Sequence, residues 1–274
     1  MYAYSNSNIK YLPITTAAIL ASAAVLAMAW PHVVAAAHAE AARLIEQAPQ
    51  TGAAEATSFY RLASTLDPGN RESYLGLAKI QIATGQSEAA LRSLKHAGEG
   101  TETLRLRLKT LVELGNFSGA SLLADALAQP GASDADIILS GLAYALAERT
   151  GDIDALLSRV ASPEAAQRLA RAKAGNVTLA AELYASGLPN SSRTFAEKLP
   201  VSFKRNVLLG RISYAQNTRE SLVAATGYFS SACTINPGDL SAHELLADVF
   251  AVRGMVAESS TQTILVQKIR SGRP

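Results

Sequence analysis

The sequence predicts an all-α protein: an α-solenoid of antiparallel helix pairs preceded by one N-terminal hydrophobic helix. Three observations lead there. Alanine is heavily used, in a chain that is 49% apolar, 18% charged and 6% aromatic. Alanine is the best helix former and adds little volume, so it favours helices packed at close range. Past Ala35 the chain breaks into helical patches of about 10 to 15 residues punctuated by Gly, Pro, Asn and Asp. Finally, two distant segments repeat one spacing of small and large residues, described below.

The elements follow in order. Residues 1–10 read as a short N-terminus ending in Lys10, and residues 11–30 as an apolar segment. From Leu12 to Trp30 no residue is charged. About nineteen residues at roughly 1.5 Å rise give about 28 Å of helix, close to the hydrocarbon thickness of a bilayer. Tyr11 and Trp30 stand at its two ends, where amphipathic rings prefer to lie. Lys10 before it and the first acid, Glu40, well after it favour an N-terminus kept inside and the rest sent across. Three fates are open. One is a retained single-pass anchor. Another is a signal peptide cleaved at Ala27-Met28-Ala29 or Ala35-Ala36-Ala37, leaving a periplasmic or secreted chain. The third is an ordinary buried helix. No cysteine lies near the segment, which excludes an N-terminal lipoprotein.

Residues 31–53 read as a connecting helix, 54–190 as irregular repeats and 191–274 as C-terminal repeats. Ala56, Tyr60, Ala63 and Pro68 follow at intervals of four, three and five, and Ala225, Phe229, Ala232 and Pro237 repeat those intervals. Both sets end alike, in Leu66-Asp67-Pro68-Gly69 and Ile235-Asn236-Pro237-Gly238. Two small residues admit a neighbouring helix, one large residue fills the gap, and proline stops the helix. After the first tail come Tyr74, Leu77 and Ala78, a turn at Gly85, then Ala90, Leu94 and Ala97. After the second come Leu246, Ala247 and Phe250, then a turn at Gly254. The run Leu104-Arg105-Leu106-Arg107-Leu108 alternates like a strand, but Leu104, Leu108 and Leu111 share a helix face, so it reads as helix. Further turns are expected at Gly115, Gly151 and Gly175, with residues from Gly175 to Tyr184 as the second half of a pair. Leu188 to Ser192 is the clearest internal break.

This arrangement resembles the tetratricopeptide repeat family, over residues 54 to 98 and 206 to 270 most clearly. The resemblance implies helix–turn–helix units of about 34 residues stacked into a right-handed superhelix. It also implies that the first helix of each unit lines a concave, partner-binding groove. Matching the repeats places Lys79, Arg105, Lys109, Arg211 and Asp248 toward that groove. A mostly basic groove would take acidic or C-terminal peptide segments. The family's carboxylate-clamp pattern is not reproduced, because Gly76 and Gly210 stand where polar side chains would be expected.

Chemistry is sparse. His32, His38, His96 and His243 have no metal-ligand spacing, and Ala247 stands where a second zinc histidine would follow His243-Glu244. Cys233, the one cysteine, sits at core spacing with no local histidine to activate it. No phosphate loop, dinucleotide fingerprint or nucleophile elbow occurs. Asp134, Asp136, Asp152 and Asp154 suit helix starts better than an acid–base pair. The net charge of +2 is too small to argue for nucleic acid.

The expected function is therefore a non-catalytic protein–protein interaction scaffold, without cofactor or metal. Its expected setting is the outer face of a bacterial inner membrane, assisting assembly of an envelope machine for a pilus, secretion or polysaccharide export. The alternatives are a structural subunit of an envelope complex and an exported glycan-binding superhelix. The last would need a groove lined by aromatics such as Tyr74, Tyr144, Tyr214 and Phe250.

Overall fold

The computed structural model describes residues 30–37, 39–41, 53–160 and 162–272. Among them every regular element is helical. The predicted apolar segment lies outside the described residues except for Trp30, and no described helix is long and apolar enough to cross a membrane. Among the described residues, a helical stretch at 30–37 and 39–41 is followed by fourteen helices. They are α1 (Ala53–Leu66), α2 (Arg71–Ala83), α3 (Ser87–His96), α4 (Thr101–Glu113), α5 (Phe117–Leu127), α6 (Asp134–Leu146) and α7 (Thr150–Leu157). There follow α8 (Pro163–Lys173), α9 (Asn176–Ala185), α10 (Pro189–Glu197), α11 (Phe203–Gln216), α12 (Arg219–Ile235), α13 (Leu240–Val252) and α14 (Val256–Ser271). The chain divides into two compact units, residues 1–106 and 107–274.

The helices are paired by one recurring backbone device. At the ends of α2, α4, α6, α9 and α13, residues Gly85, Gly115, Glu148, Gly187 and Gly254 adopt φ of 60–76°. Each time the next amide donates to the carbonyl five residues back: Gln86 to Gln81, Asn116 to Leu111, Arg149 to Tyr144, Leu188 to Leu183 and Met255 to Phe250, at 2.7–3.0 Å. This is the Schellman closure, which satisfies the orphan carbonyls of a helix end and turns the chain back. Asn217, at φ 49°, turns α11 into α12, where Thr218 and Ser221 exchange capping hydrogen bonds. The left-handed residues 85, 115, 148, 187, 217 and 254 follow at intervals of 30, 33, 39, 30 and 37. The intervals are uneven and average about 34 residues.

Three sequence expectations are corrected by these turns. Gly151 is not the turn: it lies inside α7, and Glu148 takes the left-handed position. Residues from Gly175 to Tyr184 do not close a pair, because α9 opens one with α10 through the Gly187 turn. Leu188 to Ser192 is no break between stacks. Leu188 is fully buried, Pro189 opens α10 at a position where its missing N–H costs nothing, and the Ser192 hydroxyl donates to the Ala180 carbonyl. What disrupts the regular spacing is α8, a single helix between two pairs, packed on α6, α7 and α9.

Within the first unit, the helical stretch at 30–41 and α2 both pack on α1, and α3 packs on α2. Tyr60 and Ala56 of α1 join Leu77 and Ile80 of α2 in one core cluster. Within the second unit, consecutive helices from α5 to α14 pack on one another, and α6 and α9 also reach past a neighbour to α8 and α11. Helix starts are capped by Asn116, Ser133, Ser162, Ser202 and Asp239, each accepting an amide hydrogen bond from the first turn. The expectation that Asp134 and Asp136 belong to a helix start is met in α6, where the Ser133 hydroxyl also donates to Asp136 at 2.6 Å.

The two signature segments pack as their spacing implied. Ala56, Ala63, Ala225, Phe229 and Ala232 are all fully buried, and Tyr60 is 6% exposed. The glycines opposite them explain themselves: a Cβ at Gly76 would lie 2.4 Å from the Tyr60 ring, and one at Gly210 would lie 2.4 Å from the Phe229 ring. These positions lack a polar side chain because an aromatic ring occupies its place.

Gly210→Ala is expected to lower stability by about 2 kcal/mol despite alanine's better helix propensity. Denaturant unfolding checks it, and adding Phe229→Leu is expected to restore much of the loss. Glu148→Gly is expected to raise stability by about 1 kcal/mol, since glycine takes the left-handed region without penalty; thermal unfolding of the two chains measures it.

Candidate functional site

The five residues expected to face a groove divide between the two units. In the first, Lys79 of α2 donates to Glu102 of α4 at 2.6 Å, both side chains about half exposed. An exposed pair of this kind contributes about 0.5 kcal/mol, but it commits the charge within the chain. Arg105 of α4 is partly buried and has interactions of its own. In the second unit Lys109, also partly buried and engaged, brings its Nζ to within 3.7 Å of where a Cβ of Gly187 would stand, at the α9–α10 turn. Asp248 is exposed on α13. Arg211 is exposed on α11 and lines a cleft.

That cleft, of about 400 Å³, is the strongest candidate site in the second unit. It runs between α9 and α11, with Val177, Thr178, Ala181, Tyr184 and Ala185 on one wall and Phe203, Lys204, Val207, Leu208 and Arg211 on the other. Its floor rests on a core of Ala180, Ala196, Leu208, Leu209 and Ile212, against which Val177, Tyr184 and Phe195 pack. The lining carries two cations and no acid. Arg205, their neighbour in sequence, is used differently. Its guanidinium donates to the carbonyls of Ala196 and Glu197, closing the end of α10. Of the basic cluster Lys204, Arg205 and Arg211, two residues flank the cleft and one is structural.

The walls are held by charge pairs. On α9, Glu182 is 7% exposed and accepts from Arg168 at 2.7 Å and Arg171 at 3.2 Å, tying α9 to α8. A buried carboxylate needs such partners, and removing them would leave an uncompensated charge. Further along, Asp125 of α5 accepts from Tyr144 at 2.8 Å and from both terminal nitrogens of Arg149. The Arg149 guanidinium, 4.7 Å above the Tyr144 ring, holds the Asp125 carboxyl below the usual range. Burial and that carboxylate push the Tyr144 phenol up.

One contact spans far more sequence than a stack of neighbours requires. The Ser191 hydroxyl at the start of α10 donates to the Val112 carbonyl in α4 at 2.9 Å. Beside it, Glu113 points both carboxylate oxygens into the interior, where they make no hydrogen bond of ordinary geometry. Burial raises its pKa, and the Asn190 side chain and the Asn190 and Ser191 amides draw it partly back.

The aromatics proposed for a glycan groove are committed elsewhere. Tyr144 is 4% exposed, Tyr214 and Phe250 pack on the Phe229 core, and Tyr74 stacks on His96 at 5.1 Å. His243 is buried, its Nε2 donating to the Pro237 carbonyl and its Nδ1 2.7 Å from Gln262 Oε1. Among the described residues no cluster of His, Cys, Asp or Glu could hold a metal ion.

No family model and no curated protein matches the sequence. Solved structures do. A tetratricopeptide repeat protein from Parabacteroides merdae matches at 18% identity over 77% of this chain and 99% of its own, with a TM-score of 0.44. PilW, a widely conserved type IV pilus biogenesis factor, matches at 18% over 78% of this chain and 98% of its own, with a TM-score of 0.43. A human IFIT1 dimer with PPP-AAAA matches at 16% over 78% of this chain and 58% of its own, with a TM-score of 0.36. The chain's own recurring turns and paired helices carry the repeat assignment.

Cys233 offers a test of the absence of an activated nucleophile. Burial, and then the Asp239 charge, push its thiol up to about 11. At pH 8 alkylation of the native protein is expected to run about a hundredfold slower than that of the unfolded chain, and to climb with pH up to about 11. Iodoacetamide labelling followed by intact mass measures this. Rapid native labelling at pH 8 would contradict the assignment.

Proposed function

We propose that the chain is a non-catalytic protein-interaction scaffold that receives an acidic segment of a partner in the cleft between α9 and α11. The observation that carries this is the cleft lining: apolar walls flanked by Lys204 and Arg211 with no acidic side chain among them. An aliphatic or aromatic side chain of the partner fills the floor, and a neighbouring carboxylate meets the cations at the rim. Rim charges of this kind act mainly on encounter rate and selectivity, while the apolar contact sustains the complex. Arg105, Lys109 and Asp248 remain proposed contributors to a wider partner surface, each in its own unit. Lys79 contributes only where a partner displaces Glu102.

The proposed setting is the extracytoplasmic face of a bacterial inner membrane, single-pass with the N-terminus inside. The uncharged run from Leu12 to Trp30 supports it. Assembly of an envelope machine, whether for a pilus, secretion or polysaccharide export, is the role that this setting and a non-catalytic repeat stack suit. A structural subunit of such a machine is the second reading. The exposed Val252, Val256 and Ile264 of the terminal pair favour it.

Lys204→Glu together with Arg211→Glu tests the cleft. Binding of a fluorescein-labelled peptide bearing paired Asp or Glu next to Leu or Phe is expected to fall about tenfold or more, and native-chain binding to weaken with salt. Helix content and melting temperature should be unchanged. Undiminished binding by the doubly reversed chain would dismiss the cleft as the site.

A further inference from the structure

Trp30, Val34, Ala37 and Ala41 follow at intervals of four, three and four, which places them on one helical face. Three of the four are buried, and Trp30, at the end of the face, is 44% exposed. Val34 is 5% exposed, Ala37 6% and Ala41 0%, while Val33, Ala35, Ala36 and Ala39 face outward. Val34 and Ala37 pack on Ala63 of α1 with Phe59 and Leu66, and Ala41 joins Ala56, Tyr60, Leu77 and Ile80. Trp30 meets the end of α1 and Ala41 its beginning, so the stretch runs antiparallel to α1. The Trp30 indole N–H donates at 2.7 Å to the carbonyl of Leu66, the last residue of α1, which has no partner within its helix.

We propose that the helical stretch of residues 30–37 and 39–41 belongs to the repeat stack as the antiparallel mate of α1, and that the mature chain keeps it. Processing of the apolar segment, where it happens, then falls at Ala27-Met28-Ala29 and not at Ala35-Ala36-Ala37. Cleavage after Ala37 would remove Trp30, Val34 and Ala37 together and uncover Ala63, Phe59 and Leu66. The processing half rests on the export reading given above; the helix's place in the stack does not.

Trp30 is the one tryptophan in the sequence, so the full-length chain in mild detergent reports on its own docking. Tryptophan emission and the far-UV helix signal are expected to change together in one thermal transition. Emission that changes independently of the helix signal would overturn the docking. In the full chain, Ala37→Asp places a carboxylate on the packed face and is expected to lower the melting temperature by about 5 °C or more, whereas Ala36→Asp on the outer face should leave it nearly unchanged. Equal effects of the two would also overturn it. Intact mass of the chain recovered from its own cells settles processing. A start at Met1 or just after Ala29 supports the proposal, and a start at His38 defeats it, leaving a chain without tryptophan. An unprocessed chain found in the soluble fraction would defeat the membrane setting alone, with the emission and variant results still deciding the helix's place.

Discussion

An aromatic ring on one helix can lie against the backbone of the next only where that backbone carries no side chain. Tyr60 over Gly76 and Phe229 over Gly210 are such places, and the helix pairing around them depends on it. A glycine inside a helix costs about 1 kcal/mol relative to alanine. Burying a large aromatic offsets this with about 2 to 3 kcal/mol, and the flanking alanines let the axes approach closely enough for the ring to reach. The notches differ in which helices they join. Tyr60 of α1 reaches forward into α2, the first helix of the next pair, and Phe229 of α12 reaches back into its own partner, α11. One device thus holds both the contact within a pair and the contact between pairs.

Close helix contact also requires that the chain reverse in very few residues. The repeated Schellman closure does this while satisfying carbonyls that would otherwise be stranded at each helix end. Glycine is the natural occupant, but the device tolerates Glu148 because the arginine that follows is drawn into a strong network. Arg149 donates its amide to Tyr144 and its guanidinium to Asp125 and Asp152. The strain of one left-handed side chain is offset by charge-assisted hydrogen bonds that join α5, α6 and the start of α7.

These cross-links bear on function by deciding which charges remain available to a partner. Arg149, Arg168, Arg171, Arg205 and Lys79 are committed within the chain. Lys204 and Arg211 stand instead at the rim of an apolar cleft without an acidic neighbour in its lining. The difference is one of position along a helix. A guanidinium near a helix end finds the unpaired carbonyls there, as Arg205 does at the end of α10, while Arg211, a turn and a half further on, projects from the middle of α11.

Helix class and core face were legible in the chain itself. The spacing of Ala56, Tyr60 and Ala63, and of Ala225, Phe229 and Ala232, identified buried positions correctly, because a helix face repeats every three to four residues whatever it packs against. Strand-like alternation at Leu104 to Leu108 was rightly outweighed by the same face argument. Where local sequence failed, a distant partner decided. Gly151 advertised a turn that Glu148 makes, because the Arg149 network outweighs glycine's backbone preference. Leu188 to Ser192 looked like a break, yet Ser191 and Ser192 find acceptors at Val112 and Ala180. Gly76 and Gly210 looked like lost ligand positions until the rings opposite them were in place. The sequence by itself determined which residues turn inward, since that follows from periodicity and local propensity. Only the tertiary structure decided which cations face solvent and which close a helix end, because that depends on the distance to groups tens of residues away.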